Sequence, residues 1–267
     1  MTQKTFFLKT VLITGASSGI GAALALYYAE KGRTLLLTGR NHARLDAVGA
    51  ACLEKGAQVE TATLDVSERQ AMQDWIAAMD SKHALDLVIA NAGISGGTGS
   101  HQGPLHGEHP EQVRQIFKIN LDGVLNTVEP ALPFMLARGR GQIAIMSSLA
   151  SFGPWPGAPA YGASKGAVRL YGEALRGALM HTGVRINVIC PGFVESRITA
   201  ANDFPMPFFM SADKAARLIA KGLAKNKARI AFPFSSYFLA GFLGVLPPGF
   251  VLRFLCRLPR KPAGLKT

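Results

Sequence analysis

The sequence predicts an α/β chain: a doubly wound parallel sheet of about seven strands, helices on both faces, and an apolar C-terminal extension. Three observations predict it. Short apolar runs alternate with longer helical stretches along most of the 267 residues, and that alternation calls for right-handed crossovers between parallel strands. Runs such as Leu35-Leu36-Leu37 and Leu87-Val88-Ile89-Ala90 are apolar without alternation, as strands covered on both faces are. The glycine turns and polar tripeptides fall just after the apolar runs, where such a sheet binds its ligand.

Composition bounds the answer. A chain with 48% hydrophobic and 17% charged residues folds as a globule. It shows no internal repeat and no linker-like stretch, so one domain over 1–267 is expected, with a core at about 8–232 and an extension over 233–267. Cys52, Cys190 and Cys256 lie far apart without CxxC spacing, which excludes a disulfide framework and suits a reducing cytoplasm. The stretch from Met1 to Thr10 has too short an apolar run for a signal peptide. A formal charge of +12 comes without a nucleic-acid motif, so no nucleic-acid partner is expected.

The first strand is read at Thr10–Thr14 and leads into Thr14-Gly15-Ala16-Ser17-Ser18-Gly19-Ile20-Gly21, which opens a helix over Gly19–Lys31. Gly15, Gly19 and Gly21 permit a tight turn, and the helix N-terminus presents N–H groups and a positive dipole end to a pyrophosphate. The second strand, Thr34–Thr38, decides the cofactor. An NAD site normally places an acid near its end to hold the ribose 2′-hydroxyl. Here Gly39 stands at that place and Arg40 follows, so a 2′-phosphate meets no repulsion and gains a bidentate partner. NADP(H) is therefore expected.

A helix over Ala43–Lys55 leads to the third strand, Gln58–Thr63, which ends in Leu64-Asp65-Val66. The next helix, Glu68–Ser81, leads to the fourth strand, Asp86–Ala90, and the turn Asn91-Ala92-Gly93. The apolar spacing predicts one long helix over Glu111–Ala137 that contains Asn120, then a fifth strand over Gln142–Ser147 followed by Ser148. Ser147, one residue earlier, points to the other side of the strand end. Within the helix Pro159–His181, Tyr161 and Lys165 are four residues apart and share one face. The ammonium favours the phenolate of a phenol whose ordinary pKa is ~10. A sixth strand, Arg185–Cys190, ends in Pro191-Gly192; a helix over Ala212–Lys225 and a seventh strand over Arg229–Phe232 complete the alternation.

Together, the glycine turn, Asn120, Ser148 thirteen residues before Tyr161, and the Tyr161-Gly162-Ala163-Ser164-Lys165 segment resemble the short single-domain branch of the short-chain dehydrogenase/reductase family. The resemblance covers about residues 8–232 and implies a Rossmann-type fold. It implies that Tyr161 is the proton donor, that Ser148 binds the substrate oxygen, and that Lys165 also holds the nicotinamide ribose. Asn120 is the family's fourth member, which bends a helix and holds a water linking Lys165 to solvent. The cofactor contacts it implies are Gly15, Ser17, Ser18, Gly19, Ile20, Gly21, Arg40, Asp65 and Val66 beside the adenine, Asn91, Ala92, Gly93, and Pro191, Gly192, Val194 and Ser196 beside the nicotinamide. Ala90 and Ser196 depart from the family pattern, replacing an Asn and a Thr.

Substrate identity is expected in the loops. Phe152 and Trp155 lie between Ser148 and Tyr161, and the stretch with Phe204 and Phe208 resembles a mobile lid, so an apolar or bulky carbonyl substrate is expected. His101, His106 and His109 have irregular spacing and no completing ligands, so no metal is expected. The extension has two readings. Ser235–Leu246 and Pro248–Leu258 form a helical flap or subunit interface, or the apolar residues with Arg253, Arg257, Arg260 and Lys261 dock peripherally on an anionic membrane. The expected activity is NADPH-dependent interconversion of a ketone or aldehyde with an alcohol, in a homodimer or homotetramer. The rivals are a membrane-associated lipid or sterol oxidoreductase and a non-catalytic NADP-binding sensor or scaffold, the last of which would show a damaged catalytic set.

Overall fold

The computed structural model describes residues 8–99, 107–200, 202, 204–257, 261 and 264. Its strands are β1 (Thr10–Thr14), β2 (Thr34–Gly39), β3 (Gln58–Thr63), β4 (Leu87–Ala90), β5 (Gly141–Met146), β6 (Val184–Pro191) and β7 (Arg229–Phe232). They form one 7-stranded sheet in the order β3-β2-β1-β4-β5-β6-β7, and every neighbouring pair is parallel. The order reverses between β1 and β4. At such a switch point the crossovers diverge to opposite faces and leave a crevice at the carboxyl ends of the strands.

The helices are α1 (Gly19–Tyr28), α2 (His42–Glu54), α3 (Arg69–His83), α4 (Pro110–Phe117), α5 (Gly123–Arg138), α6 (Pro159–Ala178), α7 (Arg197–Ala200), α8 (Ala212–Ala224), α9 (Phe234–Val245) and α10 (Pro248–Leu255). Period-two side-chain direction sorts the strands onto two cores. Val11, Ile13, Leu35 and Leu37 face a core shared with Leu24, Leu45 and Ile219 of α1, α2 and α8. Leu12, Leu36, Val88, Ile143 and Ile145 face the opposite core, with Ile76, Val128 and Val168 of α3, α5 and α6. Burying each large aliphatic side chain contributes about 1.5–3 kcal/mol.

The continuous helix predicted over 111–137 is interrupted. Residues Lys118–Asp122 form a π turn between α4 and α5. The reason lies in Asn120, whose side chain is fully buried and is pulled into contacts outside its own helix. Its Oδ1 accepts from Ile94 N–H at 2.8 Å, and its Nδ2 donates to the Ile94 carbonyl and Ser164 Oγ, each at 3.0 Å. Behind this, α5 is tied to α3: Arg138 donates to Asp80 through bonds of 2.6 and 2.8 Å, and Asp80 Oδ1 also accepts from Leu85 N–H at 3.0 Å.

The extension forms α9 and α10; Leu258 lies outside the described residues. Ala240, Val251 and Leu255 are buried, while Phe234, Phe238, Phe242, Val245, Phe250 and Phe254 are exposed. A polar clamp holds α9 down: Arg229 donates to Glu173 at 2.7 Å and to the Tyr237 hydroxyl at 2.9 Å. No described helix is long and apolar enough to cross a membrane. Cys52 and Cys190 are buried and Cys256 is exposed; burial pushes both buried thiols up to about 11.

Candidate active site

A cleft of ≈ 570 Å³ opens at the carboxyl ends of β1, β2, β4, β5 and β6. Its floor is the glycine turn. Gly15 has φ +66°, and a Cβ on Gly21 would collide with the Gly15 carbonyl, so the backbone approaches there as only glycine allows. Ser18 caps α1 without a side-chain hydrogen bond, which leaves first-turn N–H groups directed at the cleft. Thr14 fixes the neighbouring turn, since its Oγ1 accepts from Asn91 N–H and Ala92 N–H at 3.0 and 3.1 Å. The Asn91 amide is itself used inside the protein, donating to the Thr14 carbonyl at 2.8 Å. Thr14 opens the glycine-turn motif in the sequence, and its part in the structure is to hold the two turns together.

One end of the cleft is basic. Gly39, Arg40, Asn41 and Arg44 line it, with Asp65 and Val66 opposite. Arg40 lies 3.7 Å from Asp65 in a partly exposed pair. Burial opposes ionisation of Asp65, but hydrogen bonds from Ser67 and the Arg40 and Lys118 charges outweigh it, holding its carboxyl below the usual range. Arg44 was missed by the sequence reading. It lies in the first turn of α2, and its Nε is buried without a partner among the described residues. A helix-start arginine gives no sign in sequence of the direction it faces.

The other end gathers Ser148, Tyr161 and Lys165. The Ser148 Oγ accepts from Ala150 N–H at 3.1 Å. Ser147 also lines the cleft, but its hydroxyl is used inside the protein, donating to the Lys165 carbonyl at 2.8 Å. The expected effect of Lys165 on the phenol is not what the structure gives. Burial pushes the Tyr161 phenol above its ordinary value, only partly offset by the Ser148 hydroxyl. Lys165 donates to the Met146 carbonyl at 2.9 Å, and burial draws it down to about 8. The physical reason is desolvation, which acts on both groups and disfavours each charged form. Asn120 does not line the cleft. It sets the Ile94 backbone against α6 through both ends of its amide.

Pro191, Gly192, Val194 and Ser196 line the cleft beyond β6. Thr199 of α7 holds this loop, its Oγ1 donating to the Val194 carbonyl at 2.8 Å and accepting from Ser196 N–H at 2.9 Å. The four aromatics expected around the substrate are absent from the cleft lining. Phe152 is drawn under α9 instead, edge-on to Tyr237 at 5.4 Å and beneath the Arg169 and Arg229 guanidiniums. Trp155 packs near Gly162, Phe204 meets Phe193 at 6.2 Å, and Phe208 is exposed. His109 caps α4, and His101 and His106 lie outside the described residues.

The sequence reading also missed Lys261, which it placed with a basic tail. The Lys261 ammonium lies 5.0 Å from the centre of the Tyr161 ring, on which Lys165 also bears at 6.0 Å.

Known proteins match this arrangement. A family model described as short chain dehydrogenase matches residues 9–204. The chain is 40% identical over 240 residues to an uncharacterized oxidoreductase of Myxococcus xanthus (strain DK1622), covering 90% of this chain and 93% of the relative. It is 35% identical over 185 residues to the NADP-dependent 3-hydroxy acid dehydrogenase YdfG of Salmonella typhi, covering 69% of this chain and 72% of that one. Among solved structures, a short-chain dehydrogenase from Sphingobium yanoikuyae in complex with NADPH superposes with a TM-score of 0.77 at 24% identity, over 96% of this chain and 99% of that one. That likeness speaks for the fold alone.

Proposed function

The chain belongs to the short-chain dehydrogenase family, and we propose that it interconverts a carbonyl and an alcohol with NADP(H) as its cofactor. The observation that carries this reading is one cleft with a basic end, a glycine floor and a Ser148–Tyr161–Lys165 end. The residues fit a phosphorylated dinucleotide: the glycine turn packs its backbone too closely on Ala92, Ser196 and Gly15 for side chains, and Arg44 Nε is a buried donor in want of an acceptor among the described residues. Arg40 and Arg44 would take the 2′-phosphate, the start of α1 the pyrophosphate, and Val194 with Ser196 the nicotinamide amide. Bound there, NADPH supplies the hydride. The name of the YdfG relative, NADP-dependent, agrees with the choice of cofactor.

In this reading Ser148 holds the substrate oxygen and Tyr161 gives that oxygen its proton. Lys165, while protonated, favours the phenolate and offers its remaining donors to a ribose hydroxyl. Asn120 is a positioning residue. It keeps the loop after β4 in register with α6, and so fixes the distance between cofactor floor and proton donor. A panel of ketones and aldehydes with NADPH, followed by loss of the reduced-nicotinamide absorbance, tests the reading. No turnover on any member, with NADPH bound, would leave the non-catalytic sensor as the better account.

The outward face of α9 and α10 favours a second reading of the tail. Its exposed phenylalanines are bordered by Arg253 and Arg257 with no acidic residue after Glu195 except Asp203 and Asp213. Such a face is covered either by a second copy or by an anionic membrane, which would bring a lipid-like substrate to the cleft. We favour the second copy. A concentration-dependent dimer or tetramer abolished by Phe238→Asp supports it, whereas salt-sensitive co-sedimentation with anionic vesicles overturns it.

A further inference from the structure

We propose that Lys261 is the substrate-specificity residue of this site, and that the carbonyl compound it selects carries a carboxylate. This rests on the reductase reading and narrows it to carbonyl acids.

The tail that presents Lys261 is docked at several points. The Lys261 carbonyl accepts from Gly99 N–H at 3.0 Å. Gly97 is where the two backbones meet most closely: a Cβ there would lie 2.5 Å from the Lys261 carbonyl oxygen, inside any ordinary contact. Gly264 N–H donates to Gln112 Oε1 at 2.8 Å, and Gln112 Nε2 donates in turn to the Gly97 carbonyl at 3.1 Å. Gly97 and Gly99 after β4, Gln112 of α4, and Lys261 and Gly264 are therefore tied together, and Lys261 borders the proposed proton donor.

The side chain ends beside the ring of Tyr161. Its Nζ donates to Ser95 Oγ at 2.7 Å, two residues past the Gly93 of the cleft lining, and sits against the face of the Tyr161 ring. An ammonium has three donors. Among the described residues the Ser95 hydroxyl is its one side-chain hydrogen-bond partner, and no carboxylate is paired with it. Glu108, which Gln112 contacts at 3.3 Å, accepts from Ala160 N–H at 2.7 Å. Burial draws Lys261 down to about 8, and burial is the cause of that shift. At neutral pH it remains mostly protonated, a partly desolvated cation with two donors to give. Desolvated cations are stabilised by a counter-ion. An acidic group on the substrate, reaching past Tyr161 while its carbonyl lies at Ser148, would provide one. The aromatics that pointed to an apolar substrate are absent from the cleft lining, whereas the cation lies against the ring of the proposed proton donor.

Matched pairs of keto acids and their methyl esters decide the matter, assayed with the full-length protein and NADPH. The parent should show a KM lower for the acid than for the ester by about ten- to a hundred-fold, the range of one charge-assisted pair. Lys261→Gln should raise the acid's KM by that factor and leave kcat and the ester's KM within about two-fold. Lys261→Arg should restore most of the preference. A merely structural tail would instead shift acid and ester together, and tuning of Tyr161 alone would move the pH profile of both. Either result, or a parent that treats the pair alike, overturns the proposal while leaving the reductase reading intact. If no carbonyl is reduced, the reductase reading fails, and calorimetric titration of the NADP-loaded protein with hexanoate and hexanamide still decides this one. Binding of hexanoate alone, lost in Lys261→Gln, supports it; equal or absent binding overturns it.

Discussion

Lys165 spends a hydrogen bond on the Met146 carbonyl, at 2.9 Å, so the cation on α6 is anchored to the last residue of β5. The first prediction follows from its burial. Lys165 has an ordinary value of 10.5 and about 8 in the folded protein. Between those values the unfolded chain binds more protons than the folded one, so this group makes stability rise with pH through that window. Below about 8 its buried charge costs the fold most. The unfolding free energy of the cofactor-free protein, from urea titrations, should climb between pH ~8 and ~9 by up to about 1.4 kcal/mol more in the parent than in Lys165→Met. Cys52 and Cys190 act oppositely above their ordinary 9, which confines the comparison to lower pH. Parallel curves would refute the assignment.

Tyr161→Phe should lower kcat by at least about a hundred-fold while NADPH affinity stays within a few-fold. Ser148→Ala should cost a similar order, since it removes the partner of the substrate oxygen. Stopped assays with NADPH fluorescence for binding check both. A Tyr161→Phe enzyme with a tenth of parental kcat would show that the proton comes from elsewhere.

Arg40→Ala and Arg44→Ala should each weaken NADPH by about ten- to a hundred-fold and leave NADH nearly unchanged. Arg44 should matter at least as much as Arg40, because its Nε is buried and lacks a partner whereas Arg40 already leans on Asp65. Titration of both cofactors against the two variants measures it. Equal dissociation constants for NADPH and NADH in the parent would remove the basis for both expectations.

Arg138→Met should destabilise the protein by about 2–4 kcal/mol, because it leaves the Asp80 carboxylate buried and short of its two shortest bonds. Asp80→Asn should cost less, since an amide still accepts from Leu85 N–H. Thermal and urea unfolding read both. Neither change should alter KM, as neither residue lines the cleft.

The parts legible in sequence are those whose cause is local. The apolar strands declare themselves because burial on both faces forbids polar alternation, and the glycine turn because its backbone tolerates nothing else. The Tyr161–Lys165 pair is one helical turn apart, so spacing alone places it. What escaped depends on contacts between distant segments. The π turn at Asn120 arises from Ile94 and Ser164, which no periodicity within 111–137 reports. The aromatics of the loop after β5 were assigned to substrate, but Phe152 belongs to a cation–aromatic stack with Arg169, Arg229 and Tyr237. Lys261 was invisible for the same reason: its partners, Ser95 and Gly97, lie on the far side of the sequence.

The placement of the thiols makes this chain convenient to label. An alkylating dye at neutral pH finds two of its three cysteines protonated and enclosed, and Cys256 in the open. A fluorophore would therefore attach at the C-cap of α10, on a residue that does not line the cleft. Quenching or transfer from that one position would report the approach of a second copy, or of a bilayer, against the aromatic face beside it, in an enzyme left chemically intact.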